Sequence, residues 1–396
     1  MDRRENELMA ETVSSGRIFA LLVALSVQIG CFRHQRPAAI VASNWNPRQA
    51  AAYLDQREAW WMQWPHAARD HGTFCVSCHT ALPYALARPA LDTRLGEADP
   101  PKEERALLAN VKRRVTLWRD IEPYYTDQGA GRYKTAQSRG TEAVLNALVL
   151  ANCDAQKGEL SPESRAAFAN MWELQETEGP EKGAWQWLQF DNEPFEGHDS
   201  TYYGAALAAV ATGMAPNSYS TSPGIQAQVS LLREYLNHRF KDQSLINRVA
   251  ALWASSELPG VLGSEQQESL ETEIFTRQRT DGGWSLAPLS WSWSDWAAKS
   301  LAKLWLHSNT PVLTQQSDGY ATGLITYVLE RKHFSRDNPH LKRALDWLQN
   351  NQDPKKGFWS SLSLNNRVDP STYRGRFMSD AATGYAVLAL SGSQRN

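Results

Sequence analysis

The chain has 396 residues, 42% of them hydrophobic and 21% charged, long enough to bury one large core or two smaller ones. Its 41 basic and 43 acidic residues nearly cancel and are interspersed without long runs of one sign, which leaves no electrostatic footprint for nucleic acid. Four cysteines are too few for a disulfide scaffold, and sixteen tryptophans are many, a loading that suits a lined cavity or repeated packing wedges as well as ordinary core.

In chain order, residues 1–31 read as an export leader. Arg17 precedes the apolar run Ile18 to Gly30, too short for a comfortable membrane span and right for a signal segment. Gly30-Cys31 resembles the end of a bacterial lipoprotein signal, so Cys31 is a candidate lipid anchor. Residues 32–47 read as a polar linker and 48–396 as one folded domain. A periplasmic or other extracytoplasmic location is the expectation.

Residues 48–64 carry apolar positions at helical spacing and stop at Pro65. Then comes Cys75-Val76-Ser77-Cys78-His79, the spacing that attaches a c-type haem: two thiols for the porphyrin vinyl groups, and an imidazole for the iron. A redox dithiol, half of a zinc site and a short disulfide share the Cys-x-x-Cys pattern, but no second such pair and no His-x3-His run offers further zinc ligands. An export leader favours haem c as the covalent cofactor, with Cys75 and Cys78 as attachment points and His79 as metal ligand. Cys153 reads as an inert buried thiol.

Beyond the motif, a charge-rich amphipathic helix alternates with a more uniformly apolar one rich in Ala, Gly and Leu, as in a two-layer arrangement of outer and inner helices. The pairs are 48–64 with the segment from Ala81, 102–121 with 141–151, 162–176 with 199–213, 223–239 with 243–256, 264–278 with 318–331, and 338–350 with 380–391. The segment 291–308, with Trp291, Trp293 and Trp296, reads either as an inserted helix or as a loop.

A second motif recurs between the pairs. Arg343-Ala344-Leu345-Asp346-Trp347-Leu348-Gln349-Asn350-Asn351-Gln352 followed by Gly357-Phe358-Trp359 resembles the QW repeat of the squalene-hopene cyclase and prenyltransferase superfamily. Phe275, Gln278 and Asp281-Gly282-Gly283-Trp284 resemble a second copy, and Trp172, Gln175 and Gly183-Ala184-Trp185 a looser third. The Gln amide suits turn backbone and the Trp ring suits a wedge between helices, so these residues read as staples. The resemblance is specific over 160–396 and extends back to 48. It implies an all-α fold, an α/α toroid of about six inner and six outer helices, with a central apolar cavity for isoprenoid chains. The Asp-x-Asp-Asp element with which triterpene cyclases protonate their substrate is absent, as is a convincing equivalent of the prenyltransferase zinc ligands.

Instead Glu142, Asp199, Asp318 and Asp380 recur at expected inner-helix starts, each after Thr, His or Ser. Helix caps or first-turn charges explain them simply. Parallel inner helices would also gather these acids with His79 at one mouth of the ring, which makes them catalytic candidates. Glu193, Glu196 and His198 form a second candidate patch, and His198, Met378, His66 and His71 are conceivable distal haem ligands beside an open five-coordinate iron. The functional expectation is an exported cyclase-like haem c protein that binds or oxidatively converts a polyprenoid or triterpenoid. The alternative is a non-catalytic electron carrier serving a redox partner protein, or a lipid-binding module.

Overall fold

The computed structural model describes residues 45–121, 131–190, 192–291, 316–364 and 368–392, all within one compact unit, Ser43–Asn396. The leader 1–31 with Cys31, most of the linker, and Trp293 and Trp296 of the 291–308 segment lie outside the described residues. Among the described residues no helix is long and apolar enough to cross a membrane.

The described chain is mostly α-helical: α1 (Pro47–Gln63), α2 (Ala81–Leu95), α3 (Lys102–Thr116), α4 (Gly131–Lys157), α5 (Pro162–Glu173), α6 (Ser200–Met214), α7 (Gln226–Arg239), α8 (Leu245–Glu257), α9 (Ser264–Thr276), α10 (Leu286–Ser290), α11 (Gly319–Arg331), α12 (Pro339–Asn350) and α13 (Phe377–Ser391). One two-stranded hairpin pairs β1 (Ala68–Arg69) with β2 (Thr73–Phe74).

Local chemistry sets the helix starts. Asn46, Ser161 and Asn338 each accept a hydrogen bond from a backbone N–H of the following turn, and a proline stands next at Pro47, Pro162 and Pro339, where its missing N–H costs nothing. Helix α4 begins ten residues before the expected 141, which places Glu142 inside the helix and not at its start. The residues ahead of it are polar but include good helix formers and no proline, so the onset of hydrophobicity is not the onset of the helix. Helix α3 ends at Thr116, short of the expected 121. Cys153 is half-buried, with Lys157 Nζ 3.3 Å from its sulfur, and so is less enclosed than expected.

Burial separates two kinds of helix. In α6, α11 and α13 nearly every residue is buried, whereas α12 buries the stripe Leu341, Ala344, Leu345 and Leu348 and leaves its other face to solvent. The buried helices touch in cyclic order: α2 on α4, α4 on α6, α6 on α8, α8 on α11, α11 on α13, and α13 back on α2. Between them the rings of Phe195, Tyr203, Tyr320, Tyr385, Trp253 and Tyr327 meet edge to face, at centroid separations of 5.4 to 6.5 Å.

The repeated motif acts as a staple with one geometry three times over. Gln175 Nε2 donates to Gly183 O in its own turn and to Gln228 O of α7, each at 3.0 Å. Gln278 Nε2 donates to Gly282 O and to His340 O of α12, each at 2.8 Å. Gln352 Nε2 donates to Gly357 O at 2.8 Å and to Asn46 O, just before α1, at 3.0 Å. Trp185, Trp284 and Trp359, all buried, each donate their indole N–H to a carbonyl of the preceding helix, Met171, Ile274 and Leu348. The third copy therefore joins the C-terminal part of the chain to α1. At that joint Gly357 has φ +78, and a Cβ there would stand 2.4 Å from the Gln49 carbonyl group. Gly357→Ala is expected to lower stability by about 1–3 kcal/mol, read as a lower urea midpoint with unchanged slope.

Candidate functional site

The hairpin β1–β2 delivers the Cys-x-x-Cys-His segment to the start of α2. Asn110 of α3 pins it like a neighbouring strand, its Oδ1 accepting from Phe74 N and its Nδ2 donating to Phe74 O, both at 2.9 Å. Trp61 Nε1 donates to Cys75 O at 2.7 Å, and Ser77 Oγ accepts from Thr80 N and Ala81 N at 3.2 and 3.0 Å, closing the first turn of α2.

Cys75, Cys78 and His79 line one cavity of about 440 Å³, within the size range of ligand clefts. Its wall also includes the apolar Trp61, Trp64, Phe377 and Met378 and the charged Arg69, Arg114, Glu142 and Glu196. His79 is 4% exposed; its ring stacks on Phe377 at 3.8 Å and meets Trp61 edge to face at 5.1 Å. Burial, and then the Arg57 charge, lower its pKa to about 3, so the imidazole is neutral at pH 7.

Behind His79 lies a relay. His79 Nδ1 is 2.9 Å from Thr80 Oγ1, and Thr80 Oγ1 donates to Asp380 Oδ2 at 2.8 Å. Asp380 also accepts from Arg57 Nε at 2.6 Å, from Arg57 Nη2 at 2.8 Å and from the Tyr53 hydroxyl at 2.7 Å. Both members of the Arg57–Asp380 pair are 1% exposed.

The candidate acids fall into different environments. Glu142 lines the cavity but is held by Arg114 through two bonds of 2.5 and 2.7 Å. Glu196 lines it half-buried; desolvation raises its carboxyl to about 7, against the Asn192 hydrogen bond and the charges of Lys134 and Arg69. Asp380 lies two hydrogen bonds behind the wall residue His79, through Thr80. Asp318 is an N-cap, accepting from Tyr320 N and Ala321 N at 3.0 Å, and its carboxylate also takes Leu286 N and Ser361 Oγ. Asp199 is exposed, with Asn247 Nδ2 at 3.0 Å, and His198 beside it is exposed too. Glu193 accepts from Trp291 Nε1. Of the conceivable distal ligands, Met378 and His66 line the cavity, while His71 and His198 are not part of its wall. Sequence reading missed Thr80, Arg57, Tyr53 and Asn110.

No protein-family model matches the chain, and no curated protein matches it either.

The chemistry of the donors therefore has to separate the readings of the cysteine pair. Burial pushes both thiols up, the opposite of the depressed values that make a reactive dithiol. Among the described residues no group of three or more His, Cys, Asp and Glu side chains is arranged to hold a metal ion. A covalently attached haem needs fewer protein ligands: two thiols for the ring and one imidazole for the iron. His79 Nε2 has no hydrogen-bond partner while Nδ1 is engaged, and Arg69 and Arg374 on the cavity wall are cations of the kind that haem propionates pair with. The residues present fit the group.

One neighbour of the relay carries a proton. Glu58, next to Arg57 on α1, is 0% exposed and neither carboxyl oxygen has a partner. Burial, then the Asp380 charge, raise its pKa to about 8; Arg57 lowers it and Glu103 raises it. The native state then keeps a proton that the unfolded chain releases above pH 4.5, so stability falls as pH rises from there to about 8, by about 1.4 kcal/mol per unit. Glu58→Gln is expected to melt higher than wild type at pH 8 and to lose that advantage at pH 4.

Proposed function

We propose that this protein is an exported haem c protein on an α/α toroid of the squalene-cyclase kind, with the haem attached through Cys75 and Cys78 and ligated by His79. What carries the reading is the convergence of both thiols and an unbonded imidazole nitrogen on one cavity. A bound haem supplies one-electron chemistry at its iron. The chain's own residues hold the ring edge, orient the imidazole, exclude water with Trp61, Trp64 and Phe377, and offer cations to the propionates. The cyclic order of buried helices and the staple that joins Gln352 to Asn46 support the toroid.

Electron transfer with a redox partner protein is the better-supported role, because the buried rings of Phe195, Tyr203, Tyr320, Tyr385 and Trp253 meet one another between the buried helices, where a polyprenoid would have to lie. Conversion of a polyprenoid or triterpenoid stays as a second reading, favoured by the apolar wall of Trp61, Trp64, Leu188 and Phe377 beside His79. The deciding experiment is expression in a host with export-side haem maturation. The expected result is haem that stays with the chain on a denaturing gel, in the exported fraction; an unstained chain without added haem mass would overturn the reading. Addition of a polyprenol that perturbs the visible spectrum at micromolar concentration would favour the second role.

A further inference from the structure

We infer that Asp380, acting through Thr80, fixes the tautomer of His79 and tunes the midpoint potential of the haem it ligates. The inference rests on the haem reading above and adds to it a positioning residue from the far end of the chain.

The argument is a count of donors. A carboxylate has about four acceptor sites, and Asp380 meets four donors: Tyr53 Oη, Arg57 Nε, Arg57 Nη2 and Thr80 Oγ1. Arg57 can only donate and keeps its charge, and its two bonds to Asp380 hold the carboxyl as the anion although burial pushes its pKa up. The single hydroxyl hydrogen of Thr80 is then committed to Asp380. The 2.9 Å contact between Thr80 Oγ1 and His79 Nδ1 needs a hydrogen, and only Nδ1 can supply it. The imidazole is thereby locked with Nδ1 protonated and the Nε2 lone pair bare, the form that ligates a metal.

The same chain of bonds has an electronic effect. An anion polarises the Thr80 hydroxyl, which becomes a stronger acceptor for Nδ1–H, and the imidazole becomes a more basic ligand. A more basic axial ligand favours the oxidised iron and lowers the potential. Arg57 balances the charge of Asp380 but reaches His79 through no hydrogen bond, so the directional part of the effect survives pairing.

Thr80→Val tests this, because it removes the hydroxyl at constant shape and leaves the Arg57 and Tyr53 bonds to Asp380 in place. In haem-loaded protein the expected result is a midpoint potential raised enough to change the oxidised-to-reduced ratio about tenfold, about 59 mV for one electron, with Thr80→Ser restored to the wild-type value. An unchanged potential in Thr80→Val with haem still attached would overturn the inference and leave the haem reading standing. Absence of thioether-linked haem in the wild type would overturn both. A second measurement needs neither haem nor a substitution: nitrogen NMR of the haem-free chain should show His79 protonated at Nδ1, and protonation at Nε2 instead would overturn the inference.

Discussion

Replacing Cys75 and Cys78 together by alanine is expected to abolish haem staining on a denaturing gel and to remove the added haem mass, leaving a chain that still folds. Thioether links survive denaturation, whereas a haem held only by His79 and the cavity wall is lost with the fold. Cys78 is 1% exposed and Cys75 half-buried, so the substitutions delete one sulfur each from a packed wall and cost at most a few kcal/mol. Single substitutions should leave one thioether and a weakened stain. A double variant that stains like the wild type would show that attachment does not use these sulfurs.

Arg57→Met is expected to be the most destabilising substitution away from the cysteines, at about 3–5 kcal/mol, measured as a fall in urea midpoint at pH 7. It strands the buried Asp380 carboxylate with two of its four donors gone. It also removes the bond from Arg57 Nη2 to Tyr373 O, and the cation seated 4.6 Å over the Trp60 ring. Adding Asp380→Asn to Arg57→Met should recover part of the loss, since a neutral amide is cheaper to bury than an unpaired anion. A loss in the double variant equal to the sum of the losses in Arg57→Met and Asp380→Asn alone would mean that the two residues contribute independently.

How much of this was legible in the sequence differs by the range of the interaction. The helices were, because their apolar periodicity is local, and the staples were, because Gln, Gly and Trp recur at one spacing and do the same thing in each copy. The Cys-x-x-Cys-His segment was legible as five consecutive residues, and they do line one cavity. Its surroundings were not. Thr80 is an unremarked neighbour of His79, and its importance comes from Asp380, 300 positions away. Arg57 lies in a helix that reads as an ordinary outer one, and its partner is 323 positions away. Asp380 was singled out as an acid at a helix start, and it does stand in the first turn of α13, but its carboxylate faces Arg57, Tyr53 and Thr80 and caps nothing. Glu142 was misplaced because polar residues continued a helix backwards past the apolar stretch that announced it. Asp318 proved to be the cap that its position suggested.

The meeting of the start of α2 with α13 has a consequence in time. A chain emerges from the ribosome N-terminus first at roughly 5–20 residues per second, so the 300 residues between Thr80 and Asp380 take roughly 15 to 60 s to make. Throughout that interval the cysteine pair exists without Phe377 and Met378 over it, and without the carboxylate behind His79. Both thiols are open to chemistry early and enclosed late, and a chain cut short before residue 377 would keep the Cys-x-x-Cys-His segment while losing the wall that Phe377 and Met378 supply.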